Sequence, residues 1–235
     1  MTTDKVAMIS GANRGIGLAI ARELARRGYR LSLGVRRPGN VPADLAALGD
    51  ARCFRHRYDA AEPKAGDDWV AATLARFGRL DVLVNNAGIS RNVELETGSD
   101  ADLDELLDIN VKAPFRLLRA AFPALKAGGS GRVVNVASMS GKRVLGLNAG
   151  YQMAKHAVVA LNHAVRRAGW DHGIRSMALC PGFVNTDMVS GRNELDMRKV
   201  TQPADLATLA CTVIDLPNTA AVAELLVNWR HEPLF

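Results

Sequence analysis

Short runs of apolar residues alternate with longer stretches of helical periodicity along the whole chain. Continuous apolar runs predict strands buried on both faces, because a half-exposed strand would alternate apolar and polar residues. The predicted strands occupy residues 5–10, 29–35, 52–58, 80–85, 132–138, 174–180 and 222–227. The predicted helices occupy residues 15–27, 69–77, 102–126, 151–168 and 203–214. This alternation predicts an α/β fold, a Rossmann-like doubly wound parallel sheet of about seven strands with helices on both faces.

Composition agrees with one large globular domain. The chain has 235 residues, of which 48% are hydrophobic and 23% charged, so it can bury a sizeable core. It contains no Pro/Gly-rich linker, no low-complexity run and no internal repeat. We therefore expect residues 1–235 to form a single domain.

Charge and cysteine usage argue against several classes of protein. The net charge of +6 comes from scattered basic pairs rather than one basic segment, so we expect no nucleic-acid partner. Without a secretory signal or a run of roughly 18 apolar residues, we expect no membrane association. Cys53, Cys180 and Cys211 are widely spaced, which disfavours disulfides and structural zinc. We expect a cytoplasmic protein without a metal.

A glycine-rich turn follows the first predicted strand. Its sequence is Ser-Gly-Ala-Asn-Arg-Gly-Ile-Gly over residues 10–17, directly before the first predicted helix. Glycines let the backbone approach a diphosphate, and a helix N-terminus supplies N–H donors for it. A glycine-rich turn without a ligand is the alternative. Parallel sheets bind ligands beyond the carboxyl ends of their strands, where this turn lies.

Three more groups of polar or small residues follow other strands. Asn85, Asn86, Ala87 and Gly88 end the fourth strand, where the two amides can bridge backbone segments or contact a ribose. Ser138 ends the fifth strand. Residues 181–186, with the sequence Pro-Gly-Phe-Val-Asn-Thr, follow the sixth strand. All of them are therefore expected at one edge of the sheet.

Tyr151 and Lys155 are four residues apart on a predicted helix and so share one face. An ammonium beside a phenol favours the tyrosinate, so we expect Lys155 to lower the pKa of Tyr151 towards neutral pH. A partly exposed tyrosine beside a solvated lysine is the ordinary alternative, because spacing alone does not define a site.

Pro114 lies inside the predicted helix 102–126, four residues after Asn110. Proline has no N–H and crowds the carbonyl four residues before it. We therefore predict a kink here that leaves the Asn110 carbonyl without its helical partner.

Taken in order, these motifs resemble the short-chain dehydrogenase/reductase family over essentially the full chain. The glycine turn matches the family's Thr-Gly-x-x-x-Gly-x-Gly, with Ser10 in place of the threonine. Residues 85–88 match the family's Asn-Asn-Ala-Gly, and Tyr151 with Lys155 matches its Tyr-x-x-x-Lys. The resemblance implies an NAD(P)H-dependent oxidoreductase that interconverts a small carbonyl and an alcohol by hydride transfer.

The resemblance also implies roles for individual residues. Tyr151 would be the acid/base group, Ser138 would hold the substrate oxygen, and Lys155 would bind the nicotinamide ribose. The Asn110 carbonyl would hold a water that relays protons to Lys155. The implied cofactor contacts are Gly11, Asn13, Arg14, Gly15, Ile16, Gly17, Asp59, Asn86, Ala87, Gly88, Tyr151, Lys155, Pro181, Gly182, Val184 and Thr186.

The end of the second strand indicates which nicotinamide cofactor is preferred. NAD-binding relatives place an acidic residue there, whereas this chain has Arg36 and Arg37, with Arg14 in the glycine turn. Guanidinium groups suit a 2′-phosphate, so we predict NADP(H), with NAD(H) possible. Solvated loop charges are the alternative for these arginines.

The predicted substrate pocket combines polar and apolar residues, namely Ser138, Ser140, Leu145, Asn148, Phe183, Met188 and the loop to about Glu194. Arg91, Lys142, Arg143 and Arg192 could attract an anionic substrate, but ordinary surface charges are the favoured interpretation. A homodimer or homotetramer is expected, with helices 102–126 and 151–168 as a dimer interface.

The C-terminal segment departs from the family, because the glycine turn that usually follows the last strand is absent. We therefore expect the strand at 222–227 but not the usual packing after it. Two other functions on this fold remain open: a cofactor-sensing protein without catalysis, and an isomerase or dehydratase.

Overall fold

A computed structural model describes residues 4–189 and 195–232. Seven strands form one sheet, and each lies within two residues of its predicted bounds. They are β1 Val6–Ser10, β2 Arg30–Val35, β3 Cys53–Arg57, β4 Val82–Asn85, β5 Arg132–Val136, β6 Arg175–Pro181 and β7 Glu224–Val227.

The sheet has the order β3-β2-β1-β4-β5-β6-β7, and all neighbouring strands are parallel. The chain reverses its direction of progress through the sheet between β1 and β4. Such a switch point opens a crevice beyond the carboxyl ends of the strands. The predicted doubly wound fold is confirmed.

The helices are α1 Gly15–Arg26, α2 Ala43–Ala46, α3 Ala65–Phe77, α4 Asp100–Leu107, α5 Ala113–Ala127, α6 Ala149–Gly169 and α7 Pro203–Ile214. The predicted helix 102–126 is therefore divided, because a π-helical turn, Asp108–Lys112, joins α4 to α5. The second predicted helix begins at Ala65 rather than residue 69, and α2 was not predicted because it is only one turn long.

Two layers of helices cover the sheet. Along β1, Ile9 packs into a core that includes α1 and α7, whereas Met8 points into a second core with α3 and α5. Because successive side chains of a strand point to opposite faces, an unbroken apolar run is what a strand covered on both faces requires.

A buried polar network crosses three strands and reaches α6. The Asn85 amide donates to Oδ1 of Asn135 at 2.9 Å, and the Asn135 amide in turn donates to Asn162 and Ser176, each at 3.3 Å. Ser176 Oγ donates to Asn162 Oδ1 at 2.6 Å, and Asn162 donates to the Ala223 carbonyl at 2.9 Å. The network fixes β4, β5 and β6 against one another and against α6.

After β7 the chain folds back toward the carboxyl ends of the strands. Gly182 makes room for it, since a Cβ on Gly182 would lie 2.4 Å from Asn228 Oδ1. Glu232, farther along, is buried and forms an ion pair with Arg143. The predicted last strand is confirmed, and an ion-paired segment follows it in place of the family's glycine turn.

Candidate active site

The carboxyl ends of the strands open into one cleft with a volume of about 1120 Å³. Every residue predicted above to contact cofactor or substrate lines this cleft, except Gly17, Asn110 and those outside the described residues. Arg192 and the end of the predicted pocket loop, at Glu194, belong to that last group. One cleft thus joins motifs that are spread over most of the sequence.

The glycine turn has the backbone that the sequence predicts for a phosphate site. Gly11 and Gly15 have left-handed φ values of 66° and 56°, which favour glycine. No side chain among the described residues caps the N-terminus of α1, so its first N–H groups are available to an anion. Thr186 lies across from this turn, 3.2 Å from where a Cβ of Gly15 would be. These features fit the diphosphate of a dinucleotide.

Gly17 has a packing role behind the turn and does not line the cleft. A Cβ there would lie 2.4 Å from Asn86 Nδ2 and 2.6 Å from the Gly11 carbonyl oxygen. A contact of the Gly17 backbone with the cofactor stays a prediction. Its missing side chain lets α1 approach the ends of β1 and β4.

Ser10 and Asn86 tie the two turns together. The Ser10 hydroxyl accepts hydrogen bonds from the backbone N–H groups of Asn86 and Ala87 at 2.9 and 3.0 Å. The Asn86 amide donates to the carbonyls of Ser10 and Gly11 at 2.9 and 3.2 Å. Asn86 therefore bridges two backbone segments, as one of the two sequence-based interpretations predicted. The Ser10 hydroxyl accepts its hydrogen bonds at the position where the family has threonine.

The N-terminus of α6 is fixed by Asn148. Its Oδ1 accepts from the backbone N–H groups of Tyr151 and Val93 at 3.1 and 3.2 Å, and its amide donates to the Arg91 carbonyl at 2.6 Å. Asn148 was predicted as a substrate contact. It lines the cleft, but its side chain is engaged in positioning the first turn of the helix that carries Tyr151.

Lys155 is held beside Tyr151 and below the end of β5. Its Nζ donates to the Val136 carbonyl at 3.0 Å and lies 5.6 Å from the centre of the Tyr151 ring. Burial lowers the pKa of Lys155 to about 8, with a small opposing effect from Cys180. The ammonium form therefore still dominates at neutral pH.

Tyr151 does not have the lowered pKa that the sequence predicts. Burial raises the pKa of its phenol, and a hydrogen bond with Ser138 opposes that rise only in part. The prediction considered only the charge of Lys155 and omitted the desolvation of the phenol. In this structure Tyr151 is a neutral hydroxyl at neutral pH, suited to donating a proton.

Asn110 lies in the π-helical turn, four residues before Pro114. Its side-chain amide donates to the Ile89 carbonyl and its Oδ1 accepts from the Ile89 N–H, each at 2.9 Å. The turn includes a hydrogen bond from the Ala113 N–H back to the Asp108 carbonyl, which skips the usual partner. The helix is irregular where Pro114 predicts it to be, and the release of the Asn110 carbonyl stays a prediction.

The end of the cleft beyond β2 is basic. Arg36 and Arg37 are exposed, and within the described part of the chain neither forms an ion pair. Arg14 has a partner, since its Nη1 lies 2.8 Å from Asp187 Oδ2 across the cleft. Asp59 accepts a hydrogen bond from the Ala61 N–H at 3.1 Å. Among the described residues, the guanidinium groups of Arg36 and Arg37 are therefore available to an anionic ligand.

Several polar residues at the other end of the cleft were not predicted from the sequence. Gln152, Asn228, Arg230 and Glu232 line it, together with Arg143, which was favoured as an ordinary surface charge. Arg91 pairs with Glu105, outside the lining. These residues form no local sequence motif, because they come together only where the segment after β7 lies beside the loop after β5 and α6.

Within residues 4–189 and 195–232, the structure contains neither a metal-binding cluster nor a membrane-spanning helix. No three His, Cys, Asp or Glu side chains in these ranges cluster in a way that could hold a metal ion. None of the helices there combines the length and apolar character needed to cross a membrane.

A doubly wound α/β protein with a cleft suited to a dinucleotide is the class that this fold and site define. The chain belongs to the short-chain dehydrogenase family: the family model described as "short chain dehydrogenase" matches residues 5–196. It is 42% identical to an agropine synthesis reductase of Rhizobium rhizogenes over 220 residues. That match covers 92% of this chain but 50% of the reductase, so the chain spans about half the length of that relative.

Solved structures of the same family superpose over nearly the whole chain. An alcohol dehydrogenase from the archaeon Thermococcus sibiricus, complexed with 5-hydroxy-NADP, has a TM-score of 0.87 and 30% identity, covering 97% of this chain and 98% of that one. A 3-ketoacyl-(acyl-carrier-protein) reductase from Brucella melitensis, complexed with NADH, has a TM-score of 0.86 and 26% identity, covering 96% and 97%. Both nicotinamide cofactors thus occur among its structural relatives.

Proposed function

We propose that this protein is an NADP(H)-dependent oxidoreductase that interconverts a carbonyl compound and an alcohol, with Tyr151 as the acid/base residue. The observation that carries the proposal is the position of Tyr151. It shares a hydrogen bond with Ser138, lies beside the buried Lys155, and lines the same cleft as the glycine turn.

The cofactor, when bound, supplies or accepts the hydride. The residues of the chain perform the remaining steps. Ser138 donates a hydrogen bond to the substrate oxygen and holds it beside the phenol. Tyr151 donates its proton to the oxyanion that forms in reduction. Lys155, as an ammonium, favours the resulting tyrosinate by its charge.

The pKa values favour reduction at neutral pH. Because burial raises the pKa of Tyr151, the phenol is protonated and ready to donate. Oxidation requires a tyrosinate to accept the proton of the alcohol, and this form is scarce at pH 7. At neutral pH the phenol is therefore in the protonated form that carbonyl reduction needs.

The proposed preference for NADP(H) rests on Arg36 and Arg37. Both line the cleft after β2 and neither is paired within the described residues, so paired N–H donors are available to a 2′-phosphate. A carboxylate that would bind the 2′-hydroxyl of NAD is absent from this strand end. The relatives alone do not decide the preference, since their complexes include NADP and NADH.

The test is consumption of NADPH and NADH against a panel of aldehydes, ketones and keto acids. We expect turnover with NADPH that the Tyr151→Phe variant loses by about 100- to 10,000-fold, the range for a general acid. The variant should still bind NADPH, as measured by fluorescence titration, because the phenyl ring preserves the cleft wall. Retained turnover would contradict the role of Tyr151.

The same experiment separates the two other functions. NADPH binding without turnover on any carbonyl would favour a cofactor-sensing protein. Conversion of a substrate without net NADPH consumption would favour an isomerase or a dehydratase.

A homodimer through the helices α4, α5 and α6 is part of this proposal. Phe115 on α5 and Met153 on α6 are large apolar side chains that are more than half exposed in the single chain. A mass from light scattering equal to that of one chain would contradict it.

A further inference from the structure

The end of the cleft opposite Arg36 is lined by polar side chains, and one of their buried oxygens has no hydrogen-bond partner among the described residues. Gln152 is buried, and its amide nitrogen donates to the carbonyls of Gly146 and Asn148 at 2.8 and 2.9 Å. Those two acceptors fix the orientation of the amide and leave Oε1 buried without a hydrogen bond. The Asn228 amide lies beside Glu232, and its hydrogen bond adds to the larger effect of Arg143 in lowering the pKa of that carboxyl.

Arg143 is the less exposed of the two arginines, Arg143 and Arg230, that line this part of the cleft. Its Nε and Nη2 donate to the two oxygens of Glu232 at 2.7 and 2.9 Å, in a pair whose side chains are only 13% and 10% exposed. Such a bidentate pair holds the guanidinium in one orientation. The remaining nitrogen, Nη1, donates no hydrogen bond to any residue in the described ranges, while Arg143 lines the cleft.

Two separate segments of the chain hold Arg143 in position. It comes five residues after Ser138, and its backbone N–H donates to the Met139 carbonyl at 3.2 Å, so it is anchored to the turn that carries Ser138. Glu232 reaches it from the segment after β7. The guanidinium is therefore fixed relative to the reacting groups by two separate segments of the chain.

The local charge favours an anion. Arg143 and Arg230 bring two positive charges against the single carboxylate of Glu232, and Arg230 forms no ion pair within the described residues. The hydrogen bonds from Arg143 lower the pKa of Glu232, so this carboxylate stays ionised and keeps the guanidinium in place.

We propose that the substrate is a carbonyl compound bearing a carboxylate, and that Arg143 binds this carboxylate through Nη1 while Glu232 positions the guanidinium. The inference rests on the proposed carbonyl reduction and names its substrate class. Of the four basic residues that the sequence offered for an anionic substrate, Arg143 is the one that the cleft lining contains among those described.

The experiment compares matched pairs of substrates with NADPH: pyruvate, acetoacetate and levulinate, each against its methyl ester. We expect at least one acid to exceed its ester in kcat/KM by about tenfold or more, in keeping with a charge-assisted hydrogen bond. Arg143→Gln should lower kcat/KM for that acid by about 10- to 100-fold, mainly by raising KM, and leave the ester within about twofold.

Two further variants separate binding from structure. Arg22→Gln removes an ion-paired arginine far from the cleft, whose partner is Asp44, and should change neither substrate. Glu232→Gln keeps Arg143 charged but loosens its orientation, so it should raise KM for the acid by a few fold without changing kcat. Glu232→Asp should restore part of that loss.

Outcomes that contradict this inference differ from those that contradict the proposed function. Esters or neutral ketones reduced as well as or better than the acids would overturn the carboxylate site and leave carbonyl reduction intact. An equal loss for acid and ester in Arg143→Gln would assign Arg143 a structural role only. Absence of turnover with every acid, ester and neutral carbonyl would reject the proposed function and this inference with it.

Discussion

The two ends of the cleft are built in different ways. At the cofactor end, backbone groups form the site: left-handed glycines, an uncapped helix N-terminus, and a turn held by Ser10 and Asn86. At the substrate end, side chains form it, and they come from the loop after β5, from α6 and from the segment after β7. A backbone site tolerates few substitutions, whereas a side-chain site can be altered one contact at a time.

The first prediction tests the rigidity of the cofactor end and has the largest effect. Gly17→Ala places a Cβ 2.4 Å from Asn86 Nδ2 and 2.6 Å from a backbone oxygen, which cannot move without shifting the turn. Overpacking of this kind costs about 1–3 kcal/mol, so Kd for NADPH should rise by about 10- to 100-fold. Gly39→Ala is the control, because a Cβ there meets nothing within 4 Å. Equal Kd values for the two variants, from fluorescence titration, would refute the packing argument.

The second prediction concerns two side chains at the cofactor end, Arg36 and Arg37. Replacing Arg36 and Arg37 together by serine removes the proposed donors to a 2′-phosphate. We expect kcat/KM for NADPH to fall by about 10- to 30-fold while that for NADH stays within about twofold. Wild-type enzyme with similar kcat/KM for both cofactors would contradict the predicted preference.

The third prediction concerns Tyr151 and Lys155, where the two ends meet. Lys155 is an ammonium below its pKa of about 8 and neutral above it, so its support for the tyrosinate is lost as pH rises. The value of kcat/KM for reduction should therefore fall by up to about tenfold per pH unit above pH 8. Oxidation should instead rise with pH, because it needs Tyr151 deprotonated and burial raises that pKa. A reduction profile that is flat from pH 6 to 10, with folding verified by circular dichroism, would contradict this account.

The smallest predicted effect tests how adjustable the substrate end is. Leu145 lines the cleft but is 60% exposed, so Leu145→Ala removes little buried surface. We expect kcat/KM ratios within a carbonyl panel to change by a few fold, with Kd for NADPH unchanged and the free energy of unfolding altered by less than about 0.5 kcal/mol. A loss of NADPH affinity would show that the two ends are coupled.

The contrast between a cofactor end built from backbone and a substrate end built from side chains also explains which features could be predicted from the sequence. The strands were predictable because a strand buried on both faces is an unbroken apolar run, as in residues 6–9. The glycine turn was predictable because left-handed φ values require particular residues. The ion pair of Arg143 with Glu232 joins residues 89 positions apart, so no local pattern records it. The raised pKa of Tyr151 was missed for a related reason, since burial is a property of the fold rather than of the spacing to Lys155.

Two features, the helix at Pro114 and the role of Gly17, could be predicted only in part. Pro114 marked the irregular helix, but proline indicates a local disruption and not the π-helical turn that forms. Gly17 belongs to the predicted motif, but the spacing alone does not show that its missing side chain makes room for Asn86 and the Gly11 carbonyl.

The polar network of Asn85, Asn135, Asn162 and Ser176 has a consequence for how this sequence can diverge. The Asn85 amide and Asn135 Oδ1 satisfy each other, so replacing either residue alone by an apolar one would leave a buried group unpaired, at a cost of about 1–3 kcal/mol. A concerted exchange of several members would avoid most of that cost. We expect these four positions to vary together in evolution, so that the effect of a mutation at one depends on the residues at the other three.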